Sequence, residues 1–340
     1  MAHEVYTIDG KASVAYTGAV PWHGLGQSVD HDASIEEWRR QAMLEWRVNE
    51  APVIFNVNGE ARNFRDRKVL YRSDNGEPLS VVTSRYKVVQ PEDVLEFFRS
   101  LVSSHGFRID TAGSLRGGRR VWALAKTNRE ARLGRRDVIR PYLLLATSYD
   151  AGLATTAALT TVRVVCNNTL QIAYLGAEQE RAAANYADGG YKQSVKVPHI
   201  SIFDPDAVKL DLGLMDKSFA EFMQTIDALS NVRVTREQAV QFFMDLLHDK
   251  KRGDDYSDVP KRVMKTMLNT YDHGVGQDTE TARGTAWGLV TAVTRYLDHE
   301  RPGRPGRRDP GAKLDYAWFG QGSLMKQRAM REASKIAAMA

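Results

Sequence analysis

Cysteine is almost missing from this chain: Cys166 is the one cysteine in 340 residues. An intrachain disulfide is therefore excluded, and a reducing compartment fits. Long apolar runs are missing too, since no stretch approaches the ~20 residues a membrane-spanning helix needs, so no membrane partner is expected. The opening residues, Met1-Ala-His-Glu-Val-Tyr6, show no basic region followed by an apolar one, so they do not read as a secretory signal. The cytoplasm of the producing cell is the expected location.

Signatures of catalysis are equally sparse. Pro21-Trp-His-Gly-Leu-Gly26 is glycine-rich but lacks the lysine and the strand-loop-helix setting of a phosphate-binding loop, and reads as a packed turn. Cys166 has no partner in sequence that marks it as a nucleophile; His23 and His199 are the possible bases, and a small buried side chain is the plainer reading. Asn167, Asn168 and Thr169 read as a helix cap. Asp272-His273, Asp298-His299 and Asp204-Pro-Asp206 set metal-ligating types side by side but do not recur at ligand spacing. No catalytic residue, metal or cofactor is expected.

Acids are scarce where bases crowd. Between Arg108 and Arg140 ten bases face only three acids, a balance of +7 in a chain whose formal net charge is +5. Charge concentrated in this way is the footprint of a polyanion partner, and nucleic acid is the polyanion expected. Arg108, Arg116, Arg119, Arg120, Lys126, Arg132, Arg135, Arg136 and Arg140 are the candidate phosphate contacts, joined by Arg163, because guanidinium pairs with phosphate in a bidentate fork. Gly117 and Gly118 would let backbone approach a phosphate, and Trp122 and Tyr142 would stack bases. A second basic segment, 301–313, is punctuated by proline and glycine and reads as a flexible loop; Arg304, Arg307 and Arg308 are its candidate contacts. The last helix adds Lys326, Arg328, Arg331 and Lys335, a weaker signal because basic residues are common near helix termini. A solvated charged face is the alternative throughout.

Periodicity gives an α+β fold. Ser34-Ile-Glu-Glu37 caps a helix whose Trp38, with Met43 and Trp46, faces a core. Strands are expected at 53–57, 69–72, 79–82 and 86–89, with hairpin turns at Asn58-Gly59 and Asp74-Asn-Gly76. A helix opens at Pro91 and ends at Gly106. Strands at 107–109, 121–125, 142–147 and 154–165 follow, then a helix over 170–187. Turn residues place a boundary near 190–205. The expected arrangement is an antiparallel sheet domain over 1–195, with a hairpin–helix–three-strand–helix core. A mostly helical region over 196–340 follows it, with helices at 214–229, 235–247, 260–271, 286–299 and 324–339.

The segments Pro21-Trp-His-Gly-Leu-Gly26, Tyr86-Lys-Val-Val-Gln90, Arg163-Val-Val-Cys-Asn-Asn-Thr-Leu170, Gly284-Thr-Ala-Trp-Gly-Leu-Val290 through Asp298-His299, and Trp318-Phe-Gly320 resemble the phage/plasmid-like proteins. That family is defined by a domain of unknown function. The resemblance implies a mobile-element gene product acting in a bacterial host, and says nothing about catalysis. The order of elements is also similar to the core of single-strand annealing recombinases of the Red-beta, RecT and Erf type, a likeness of topology alone. That likeness implies single-stranded DNA binding and annealing in replication or recombination by a homo-oligomer. Two other classes stay open: a structural or host-interaction protein, such as an anti-defence or assembly factor, and a metal-dependent nuclease.

Overall fold

The computed structural model describes residues 7–8, 11–18, 26–163, 168–171, 194–212, 215–248, 259–302, 316–318 and 320–339. The strands are β1 (Thr7–Ile8), β2 (Lys11–Ala12), β3 (Val14–Tyr16), β4 (Gln27–Ser28), β5 (Val48–Val57), β6 (Glu60–Arg72), β7 (Pro78–Thr83), β8 (Arg108–Leu115), β9 (Arg120–Lys126), β10 (Ala131–Leu133), β11 (Asp137–Ser148), β12 (Thr155–Arg163), β13 (Asn168–Gln171) and β14 (Ser194–Val197). The helices are α1 (Ile35–Gln41), α2 (Pro91–His105), α3 (Pro205–Leu212), α4 (Met215–Asn231), α5 (Arg236–Leu247), α6 (Lys261–His273), α7 (Ala286–Arg295) and α8 (Gln321–Met339). The class is α+β, as expected.

A nine-stranded sheet runs in the order β13-β12-β11-β9-β8-β3-β4, with β10 beside β11 and β14 beside β12. Its pairs are antiparallel except β3 with β4. The central strands alternate between two cores. Val121, Ala123, Ala125, Leu143 and Leu145 face a cluster built with Trp38, Phe97, Phe98, Leu70 and Leu79. That side is covered by α1, α2 and the three-stranded sheet β5-β6-β7. Trp122, Leu124, Tyr142, Leu144 and Ala146 face the opposite way and pack with Val14, Leu115 and Trp318.

Local chemistry explains the covering elements. Ser34 accepts a hydrogen bond from the Glu37 N–H at 3.2 Å and starts α1. Gln90 opens α2: its N–H donates to the Asp93 carboxylate at 2.7 Å, while its side chain pairs with both backbone groups of Val48 at 2.8 and 3.1 Å. One amide therefore ties the helix start to β5. Gly106 ends α2 with φ +66°, the left-handed cap expected of it. Thr235 and Gln238 form the predicted capping box on α5.

The strand expected at 86–89 is absent. Pro91 and the capping of α2 fix that stretch as extended connector. Tyr86 and Val89 are buried within it, and Lys87 donates its N–H to the His199 carbonyl. The helix expected from Leu170 is also corrected at its start. Asn168–Gln171 is a strand paired with β12, so Asn168 and Thr169 are ladder residues and not a cap. Residues 172–187, Cys166, Asn167 and His23 lie outside the described residues. The boundary expected near 195 falls inside β14, which completes the side of β12 that β13 begins.

The helical region shares a core with the sheet. Leu133, Ile139 and Leu159 join Phe222, Phe243, Met267, Trp287, Leu289 and Met330. The expected helix over 286–299 changes pitch: α7 ends at Arg295 and a π-helical turn covers Tyr296–Glu300. That turn carries Asp298, which accepts a hydrogen bond from the Lys326 ammonium of α8; both side chains are 5% exposed. Burial holds the Lys326 amine below the usual lysine range, against the pull of Asp298. Removing one partner takes an opposite charge from the other, which stays buried. Lys326→Met is therefore expected to cost about 3–5 kcal/mol in urea unfolding. Lys326→Met combined with Asp298→Leu should cost less than the sum of the two single changes, because the double variant removes both charges.

Candidate nucleic-acid interface

The strand register sorts the predicted basic residues into two groups. Arg120 sits at one end of β9 and Lys126 at the other, six residues or ~20 Å apart in extended chain. Arg116 and Arg119 stand with Arg120 at the first end. Arg108 pairs in register with Lys126, and Lys126 with Tyr142. Arg140 lies two residues beyond Tyr142, Arg132 pairs with Val138, and Arg135 and Arg136 occupy the turn from β10 into β11. This second end therefore gathers Arg108, Lys126, Arg132, Arg135, Arg136 and Arg140. Arg163 pairs in register with Ile139 near it. Arg304, Arg307 and Arg308 lie outside the described residues.

Folding also brings acids that the linear segment lacks. Glu130 stands 3.5 Å from both Arg132 and Arg140. Asp278, from the helical region, holds Arg136 at 2.9 Å, and Glu280 accepts the Arg135 N–H. The +7 of the segment is therefore partly offset in space. The pairs are exposed ones, 67% and 43% for Arg132 and Glu130, and 63% and 68% for Arg136 and Asp278. Exposed pairs are worth about 0–1 kcal/mol, so a phosphate can compete for these guanidinium groups. Arg108, Arg119 and the Arg135 side chain are exposed and form no ion pair among the described residues.

Three expectations for this segment are corrected. Trp122 is 2% exposed and packs edge-on to Trp318 at 5.4 Å, and Tyr142 is 7% exposed. Both rings belong to the second core and offer no face to a base. Desolvation also raises the Tyr142 hydroxyl pKa above the usual tyrosine value. Arg120, 7% exposed, is a buried side chain and not a surface contact. Gly118 serves packing: with φ +93°, a Cβ there would meet the Arg72 guanidinium at 2.9 Å and the Trp46 ring at 3.1 Å. Arg72 itself is buried, lies 4.2 Å above Trp46, and is held by both oxygens of Asp74 at 2.9 and 2.6 Å. Gly117 keeps open space around it.

The residues considered for metal or acid–base chemistry have structural partners. Asp204 accepts the N–H groups of Asp206 and Ala207 at 3.0 and 3.2 Å and caps α3. Asp272 is gripped by Arg236 at 2.7 and 2.8 Å. His199 stacks on Tyr86 at 4.3 Å, and its ring nitrogens reach the Lys87 and Leu153 carbonyls. Among the described residues no trio of His, Cys, Asp or Glu is grouped to hold a metal ion. In the last helix Lys326 is committed to Asp298, and Arg328 donates to the Asp245 and His248 carbonyls.

One group that the sequence reading did not single out belongs to this end of the sheet. Asp110 sits at the irregularity between Ile109 and Thr111, and burial pushes its carboxyl up to about 6 against the pull of Lys126, His31 and Arg140. A free-chain aspartate titrates near ~3.9. Between those values the folded chain keeps a proton that the unfolded chain has released, so stability falls as pH rises, by about 1.4 kcal/mol per unit. Asp110→Asn is expected to remove a loss on the order of 2–3 kcal/mol between pH ~4 and ~6. Urea unfolding of both proteins at the two pH values measures it.

In comparison with known protein families, the model described as "Domain of unknown function (DUF932)" aligns with residues 78–318, more than two thirds of the chain. No curated protein and no solved structure matches.

Proposed function

The chain belongs to the DUF932 family, whose description names no activity, and we propose from the chain's own chemistry that it binds single-stranded nucleic acid without catalysing a reaction. The observation that carries this reading is the basic end of the sheet. Arg108, Arg132, Arg135 and Arg136 converge there from two strands and one turn, either without an ion pair among the described residues or in exposed pairs, and the half-buried Arg140 stands behind them. Guanidinium groups displayed on a rigid sheet bind phosphate as forks, and each neutralised phosphate releases counterion. No helix among the described residues is long and apolar enough to cross a membrane. The biological setting that goes with this reading is a phage or plasmid, with the protein annealing or protecting strands in replication or recombination as a homo-oligomer in the cytoplasm of a bacterial host.

Fluorescence anisotropy with labelled single- and double-stranded oligonucleotides over a salt series tests the proposal. Salt-steep binding that favours the single strand is expected. For single strands the logarithmic slope changes by about 0.7 per phosphate contact. Arg108→Ala with Arg135→Ala should therefore flatten it by about 1.4 and weaken binding alike across sequences. No binding even near ~50 mM salt, where electrostatic attraction is strong, would remove the nucleic-acid reading.

A further inference from the structure

We infer that the distal arm of the β5–β6 hairpin is a base-stacking element for single strands, with Phe55 and Phe64 as its platform; this rests on the nucleic-acid reading above. The burial of Trp122 and Tyr142 leaves a basic surface without an aromatic partner. Phe55 and Phe64 are the exposed aromatics among the described residues, at 43% and 46%, and Ile54 beside them is 62% exposed.

Topology puts them on an arm. β7 pairs with β6 only from Arg67 to Tyr71, so residues 53–64 have no strand partner but each other. The ladder between β5 and β6 jumps from Pro52↔Lys68 to Ile54↔Asn63. On the β5 side, Phe64, Arg65, Asp66 and Arg67 thus face only Val53, and a bulge of this kind bends a strand and re-aims its side chains. Past the bulge, Phe55 pairs in register with Arg62. The two phenyl rings meet edge to face at 6.5 Å and 72°. Such a pair steadies a ribbon, yet half-exposed apolar rings that belong to none of the cores mark an interaction surface.

The charge around them is basic on balance, with Arg62, Arg65, Arg67, Lys68 and Arg85 against Glu50, Glu60 and Asp66. Arg65, Arg67 and Arg85 are exposed and form no ion pair among the described residues. Arg62 and Lys68 meet Glu60 and Glu50 at 3.5 and 2.7 Å. Ring faces beside guanidinium groups are the chemistry of single-strand binding: bases stack and phosphates pair. A duplex keeps its base faces inside the stack and offers this arm phosphates alone.

The test uses the full chain and a labelled oligo-dT strand. Phe55→Ala/Phe64→Ala removes exposed atoms, so the fold should persist by circular dichroism. Affinity should fall at least about 10-fold at an unchanged salt slope, because two stacked bases are lost and no charge is. Phe55→Trp/Phe64→Trp should keep affinity, and its added tryptophan emission should be quenched on binding. Equal affinity of the alanine variant and wild type overturns the arm while leaving the nucleic-acid reading standing. The same holds if the variant loses only self-association on a sizing column, which would make the arm a contact between copies. Failure of wild type to bind any strand removes both.

Discussion

Burial of the central strands on both faces is the constraint from which the rest of the architecture follows. β9 and β11 carry apolar side chains on alternate positions toward two separate cores. A strand covered twice has no face to spare for charge, since an unpaired ion in that interior is costly. Positive charge is therefore displaced to strand ends and turns, and the two groups of arginine stand at opposite ends of β9. Asp110, caught near one of those ends, has its carboxyl pKa raised by burial.

The sequence revealed the parts of this fold that depend on local chemistry. The caps at Ser34, Gly106 and Thr235 and the tight turn at Asn58-Gly59, with φ +53° and +88°, rest on short-range hydrogen bonding and backbone sterics, which neighbouring residues determine. Features that rest on long-range contact were not legible. Trp122 and Tyr142 read as surface aromatics because their strands are rich in arginine, while the second covering layer comes partly from Trp318, nearly two hundred residues on. The acids that temper the basic end, Asp278 and Glu280, are equally remote. Phe55 lay inside an expected strand and Phe64 in none, and neither stood out, because nothing local announces that β7 stops short of them.

The junction between sheet and helices is polar as well as apolar. Asp137, 1% exposed, accepts a hydrogen bond from Thr281 at 2.7 Å. Gly134 lies against Glu280 with φ +65°, a conformation only glycine adopts at no cost. Around these contacts, Leu133, Ile139 and Leu159 complete the helical core. The basic end of the sheet is thus braced by the helical region, and its guanidinium groups are presented on a stiff base, which lowers the ordering entropy of binding.

That shared core also sets the order in which the chain can acquire structure. β3 has to wait for β8, about a hundred residues later, before it gains its antiparallel neighbour. The cluster around Leu133 and Ile139 closes only with Met330 and Ala333 of α8. During synthesis the sheet is therefore exposed as an incomplete surface until α8 leaves the ribosome, and contacts so distant in sequence make for slow folding. Along one side of β12, β13 and β14 lie end to end. They convert what would be a long open edge into short guarded ones, a defence against chain-to-chain pairing in the interval when the molecule needs it most.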